Sequence, residues 1–430
     1  MDSNLHAAPH SGVIWITANA NGLRRRAEVS SQLTPTAPGR GLMQLLRNAE
    51  LYDPAARGRA HLLIAGETIA WIGPEAPVLP PDLGVTEHDL DGRRVIPGLI
   101  DGHVHLTGGG GEAGPETRVP PLALSRLSTG GVTTAVGVLG TDDTVRSPAE
   151  LVTTARGLIA EGLTAYCYTG GYHVPPITVT GGVRQDIVLI DLILGVGELA
   201  ISDHRSSQPT LDELLRVAGD AHVAGLMSGK AGIVHLHVGD GPRGLELVRQ
   251  ALQQSEIPAR VFNPTHVNRR KALFQEAMAL ARQGCTIDIT AFPTEEGDNA
   301  WSAAEALTRY LEAGLPAERV TVSSDGGGCF PVFDGEGRVT AMDVGSPAAM
   351  AGTLKELLDC GQPLERVLPA FTANQARLLL LPRKGRLTAG ADADLVVLDG
   401  EGAVEDVMAR GRWHVRAGRP VVRGTFEARE

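Results

Sequence analysis

His103 and His105 stand one residue apart, and their type and spacing suggest metal chemistry. Neutral imidazole is a common ligand for zinc and its neighbours. On an extended backbone, residues i and i+2 point to the same side. Both rings can therefore reach one ion at the end of a strand. A lone pair at this spacing is more often two polar loop residues, but further candidates follow. Glu198 comes after Ile193–Gly197, His237 closes Gly232–His237, His266 closes Phe262–His266, and Asp325 comes after Val320–Ser324. Singly, each has an ordinary explanation: a cap, a hydrogen-bonded strand-end histidine, a turn aspartate before Gly326. Together they supply four histidines and two carboxylates, an inventory for two divalent ions.

Such side chains converge only if strands deliver them to one place. Val95, Ile96 and Ile100 lie in a short apolar run before His103 that reads as a buried strand. Further strand candidates are 132–139, 164–169, 193–197, 233–238, 261–265, 286–289 and 320–323. Helix candidates alternate with them at 147–161, 210–226, 244–254, 270–282, 303–313 and 350–358. Strand–helix alternation repeated about eight times predicts an α/β fold with a parallel (β/α)8 TIM-like barrel over 96–383. A doubly wound sheet is the alternative. It is weakened because the candidate ligands fall at strand C-terminal ends all round the segment, where a barrel carries its site.

The flanks differ. Residues 42–51, a hairpin at 61–64 and 68–72 turning at Gly66, and 395–398, 404–409 and 413–415 read as strands. Neither end can close a core alone, so 41–95 and 384–430 are expected to build one small β-sandwich from both termini. Residues 1–40 are polar and irregular, with Arg24-Arg25-Arg26 after a short apolar stretch; they read as a disordered tail, not as a signal peptide.

Composition narrows the class. At 43% hydrophobic and 21% charged residues, the 430-residue chain reads as soluble and globular. Its net charge of -11 argues against nucleic acid or an anionic membrane as partner. No apolar run reaches the ~18 residues of a membrane span. Cys167, Cys285, Cys329 and Cys360 are scattered, which reads as a reduced, cytoplasmic protein without a disulfide framework.

Several stretches resemble the isoaspartyl dipeptidases (β-aspartyl peptidases) of the amidohydrolase superfamily. They are His103-Val104-His105, Gly108 to Pro115, Thr169 to Pro175, Ser202-Asp203-His204-Arg205, Pro264 to Arg269 and Ser323-Ser324-Asp325-Gly326. The likeness runs from about Leu42 to Phe426. The histidine pair and the aspartate are shared across the superfamily; the Gly108 and Thr169 stretches are specific to this branch.

The resemblance implies two zinc ions, one held by His103, His105 and Asp325, the other by His237 and His266. Most of the family bridges them with a carboxylated lysine; this chain has Glu198 there, which already carries a carboxylate. Lys230 is not at that position. The resemblance further implies a hydroxide shared by the metals, with Asp325 as base and then acid and Tyr172 as oxyanion donor. Glu112 would take the ammonium of a dipeptide, and Arg205 and Arg269 its carboxylates. Gly110, Gly111 and Thr141 match the family's remaining substrate contacts. Cys329 stands where the family has a substrate-contacting serine, and a thiol is a weaker hydrogen-bond partner. The leading expectation is a di-zinc β-aspartyl dipeptidase, a homo-oligomer by resemblance. The alternatives are a deacylase of N-acyl amino acids or a cyclic amidase, and a catalytically silent scaffold.

Overall fold

Eight parallel strands carry the chemistry-bearing residues in the computed structural model, which describes residues 43–295 and 297–428. The tail expected at 1–40 lies outside the described residues. Leu99–Val104, Val132–Gly137, Thr164–Thr169, Ile193–Ile201, Ile233–Val238 and Phe262–Thr265 pair side by side in one parallel sheet. Ile287–Thr290 and Val320–Ser323 pair with each other, also in parallel. The last strand returns to the first: Val104 bridges Gly326, and the His105 amide donates to the Gly326 carbonyl at 2.9 Å. The result is the expected barrel.

Local sequence explains why these segments are strands. Leu99–Val104, Val132–Gly137, Ile193–Ile201 and Ile233–Val238 are buried at every position. Strands covered on both faces read as continuous apolar runs, not as alternation. The helices fall within two residues of expectation: Pro148–Glu161, Leu211–Ser228, Glu246–Gln254, Lys271–Arg282, Ala303–Glu312 and Ala349–Asp359. Their starts are encoded. The Ser147 hydroxyl accepts from the Glu150 amide, and Thr210 with Glu213 and Ser302 with Glu305 form capping boxes. Leu211–Ser228 turns Leu214, Val217, Ala218, Ala221 and Ala224 inward, an apolar stripe at helical spacing.

Strands of both ends join outside the barrel. In pairing order they are Arg419–Pro420, Arg412–Arg416, Val404–Ala409, Leu395–Leu398, Arg94–Pro97, Met43–Asp53, Ala55–Ala65 and Thr68–Gly73; Thr86–Asp89 pairs beside Met43–Asp53. The expected hairpin about Gly66 is present. A sandwich of two sheets is expected from the sequence, but these strands form a single nine-stranded sheet. The reason is Arg94–Pro97, which pairs with Met43–Asp53 on one side and with Leu395–Leu398 on the other. That strand runs through Gly98 directly into Leu99–Val104, so the terminal sheet holds the root of the strand that presents His103. The described residues pack as one compact unit. A hairpin of Cys329–Phe333 and Val339–Val344 rises beyond the last barrel strand and has no counterpart among the expected elements. Among the described residues, no helix is long and apolar enough to cross a membrane.

Candidate active site

The six candidate ligands meet at the C-terminal mouth of the barrel, each at most 7% exposed. Glu198 lies at their centre. Its Oε1 is 3.6 Å from His103 Nε2 and 3.5 Å from His105 Nε2. Its Oε2 is 3.1 Å from His237 Nδ1 and 3.4 Å from His266 Nε2. One carboxylate thus presents one oxygen to each pair of histidines. Asp325 Oδ1 lies 3.3 Å from His103 Nε2 and 3.0 Å from His105 Nε2.

The backbone beneath these groups is held tightly. Asp101 accepts from the His103 amide at 3.3 Å, from the Ser324 amide at 3.1 Å and from the Ser324 hydroxyl. It ties the first strand to the loop that carries Asp325. Burial pushes the Asp101 carboxyl up to about 7. His266 and Asp325 both hold left-handed backbone, with φ of 61° and 53°. Non-glycine residues persist there when their surroundings over-determine them, which is common at functional sites.

These groups fit a divalent metal. His103 Nε2 and Asp325 Oδ1 are buried without a hydrogen-bond partner, although they are 3.3 Å apart. They converge on a common point and not on each other. Two sets bring ligand atoms close enough for one ion: His103 with Glu198 and His266, and His103 with His105 and Asp325. The electrostatics agree. Burial works against the Glu198 carboxylate, but His103, His237 and His266 outweigh it and hold it well below the usual range. Asp325 is lowered in the same way by His103 and His105. Both therefore stay charged. Burial opposes a charged His103, yet Glu198 and Asp325 raise it to about 9; burial prevails at His266, which falls to about 3. Lys230 is elsewhere, donating to the carbonyls of Ile187 and Ile190 at 2.6 and 2.7 Å.

Above the cluster opens a cavity of about 260 Å³, lined by Gly110, Glu112, Thr141, Tyr172, Arg205, Arg269 and Cys329 among others. Gly111 is not among the lining residues, whereas Gly109 is. His103, fully buried, lies beneath the floor. The glycine run has a steric cause. Gly108 holds φ +79°, and a Cβ there would lie 1.9 Å from the Val119 carbonyl oxygen. Glu112 Oε1 accepts from Thr141 Oγ1 at 3.0 Å and pairs with Arg205 Nη1 at 3.3 Å. Glu112 Oε2 is buried without a partner. Arg205 also grips Asp203 with Nε at 3.0 Å and Nη2 at 2.8 Å. Arg269 donates to the Val238 carbonyl at 3.0 Å. Tyr172 Oη is 2.8 Å from His237 Nδ1; burial raises it well above the usual range, so it keeps its proton. Burial pushes the Cys329 thiol up to about 12, which argues against a thiolate nucleophile.

Sequence reading missed three parts of this site. Asp203, buried, accepts from Arg205 and lies 3.0 Å from His237 Nε2; its motif was visible but gave it no role. His235 packs behind the cluster and was signalled only by the same one-residue spacing from His237 that marks His103 and His105. The hairpin over the cavity supplies Cys329, Phe330, Pro331, Val332, Phe333 and Asp343. The Asp334–Arg338 turn between its strands was its available signal.

Comparison with known proteins adds four likenesses. Residues 199–414 match the model described as the amidohydrolase family. The structure resembles that of β-aspartyl dipeptidase from Fervidobacterium islandicum in complex with β-Asp-Leu dipeptide, at 41% identity and a TM-score of 0.82, over 88% of this chain and 98% of that one. Imidazolonepropionase of Paracoccus denitrificans is 26% identical over 393 residues, 83% of this chain and 94% of that protein. Dihydropyrimidinase from Brevibacillus agri, 18% identical with a TM-score of 0.60, shares the fold.

Proposed function

We propose that this chain, which belongs to the amidohydrolase family and is a metal-dependent hydrolase, cleaves the β-aspartyl bond of isoaspartyl dipeptides with two zinc ions. One observation carries the substrate. The cavity that contains Glu198 and Asp325 also contains a carboxylate with a free oxygen, Glu112, and two arginines, Arg205 and Arg269. That pattern complements a dipeptide with one ammonium and two carboxylates. The neighbour at 41% identity has β-Asp-Leu bound.

His103, His105 and Asp325 would hold one metal and His237 and His266 the other, with Glu198 between them. When bound, such a pair supplies an acidified water and polarises the scissile carbonyl. The chain does the rest. Asp325 enters as a carboxylate, takes the proton of the attacking water and passes it to the leaving amine. Tyr172 retains its proton and donates a hydrogen bond to the developing oxyanion. Glu112 takes the substrate ammonium through Oε2. Arg205, already oriented by Asp203, and Arg269 take the carboxylates. Gly110 and Thr141 complete the substrate contacts.

A second reading, hydrolysis of a cyclic amide, is favoured by the imidazolonepropionase relatives. It leaves Glu112 without a cationic partner from the substrate. A silent scaffold leaves the conjunction of six buried candidate ligands without a purpose. The test is turnover by the zinc-loaded chain of β-Asp-Leu, α-Asp-Leu and imidazolonepropionate. Cleavage of β-Asp-Leu alone supports the dipeptidase. Cleavage of imidazolonepropionate alone overturns it in favour of the cyclic amidase, and no turnover of any overturns it as well.

A further inference from the structure

His103 is turned toward the cluster by a neighbour with no carboxylate. Its Nδ1 lies 2.8 Å from His235 Nε2. His235 Nδ1 lies 2.6 Å from Asn263 Oδ1, and Asn263 Nδ2 donates to the Thr286 carbonyl at 2.7 Å. His103, His235 and Asn263 are each at most 1% exposed, so water does not complete these bonds. The Tyr168 ring stacks on His235 with centroids 5.0 Å apart and holds its plane.

Every proton in this chain of groups can be assigned from one end. The Thr286 carbonyl can only accept, so the Asn263 group facing it is the NH2. The amide oxygen therefore faces His235, and His235 Nδ1 must carry a proton to donate. Among the described residues no carboxylate is hydrogen-bonded to His235, and an unpaired buried cation is costly, so the ring is neutral and its Nε2 is bare. A bare Nε2 accepts, which places a proton on His103 Nδ1. That leaves Nε2, which faces Glu198 and Asp325 without a hydrogen-bond partner, as the His103 nitrogen that would give up its proton to a metal.

We infer that His235 is a positioning residue: set by Asn263 and the Thr286 carbonyl, it selects the His103 tautomer that can ligate a metal. Ligand histidines usually donate their second nitrogen to a carboxylate, a carbonyl or water, and losing such a partner typically costs about 10- to 100-fold in metal affinity. Here a second imidazole takes that place. The inference rests on the reading of His103 as a metal ligand.

The test is nitrogen NMR of the full chain, labelled at histidine and loaded with zinc, with the His235 signals identified by their loss in His235→Gln. A protonated Nδ1 and a bare Nε2 on His235 are expected. The reverse tautomer, or a doubly protonated ring, overturns the inference. Competition with a chelator gives the second readout. His235→Leu removes the acceptor and should weaken zinc binding by about 10-fold or more. His235→Gln restores an acceptor and should stay within about threefold of the parent. A folded His235→Leu that holds zinc as tightly as the parent overturns the inference; if that variant fails to fold, the NMR result decides. A parent that binds no zinc overturns the metal reading itself, which separates the two failures.

Discussion

The free oxygen of Glu112 is the most specific feature at the scale of single residues. Thr141 and Arg205 occupy Oε1, while Oε2 is buried with nothing to accept from. An ammonium placed there gains a charge-assisted hydrogen bond, worth about 1.5–3 kcal/mol. Glu112→Gln should therefore lower kcat/KM for β-Asp-Leu by about 10-fold or more, mostly through KM. An analogue lacking the ammonium should be indifferent to the substitution; equal losses on both substrates would contradict the assignment. The candidate ligands were legible as a set in the sequence because a metal would require imidazoles and carboxylates at strand ends. Their partners were not. Asp203 and Asn263 are ordinary polar residues until folding sets them against Arg205 and His235. Arg205 could be read as a carboxylate binder, but its grip on Asp203 depends on a turn no pattern announces.

At the scale of elements, the barrel strands were legible and the hairpin over the cavity was not. A parallel strand buried on both faces shows as an apolar run, as in Ile233–Val238. Cys329–Phe333 and Val339–Val344 are half exposed, and their burial follows no period of two. The same scale explains the glycine run after His105. It reads as flexibility in the sequence, yet Gly108 is required by a left-handed φ and by the Val119 carbonyl against its Cα. Gly108→Ala should destabilise the fold by at least about 1–2 kcal/mol from the backbone alone. The expected signature is a lower melting temperature together with a raised KM, because the strained turn carries Gly110 and Glu112. An unchanged KM with an unchanged melting temperature would refute it.

Across the whole molecule, the two chain ends cooperate to root the site. The union of the ends was readable, since neither could close a core alone. The single sheet was not, because it depends on Arg94–Pro97 finding partners on both sides. His414, in that sheet, makes stability depend on pH. It is fully buried, and burial chiefly, with Arg412 beside it, lowers it from 6.5 to about 4. Below 6.5 the unfolded chain binds a proton that the folded chain refuses, so stability falls as pH drops from about 6.5 to about 4. The full effect is about 3 kcal/mol. Urea unfolding of the parent and of His414→Leu should show a difference in stability that changes over this window; a difference independent of pH would contradict it. The central claim is that Glu198 joins two metals without lysine carboxylation. The most direct measurement is zinc per chain after reconstitution in bicarbonate-free buffer, for the parent and for Glu198→Ala. The account predicts two zinc ions in the parent and one or none in the variant. A parent that needs bicarbonate to bind two, or a variant that keeps both, would contradict it.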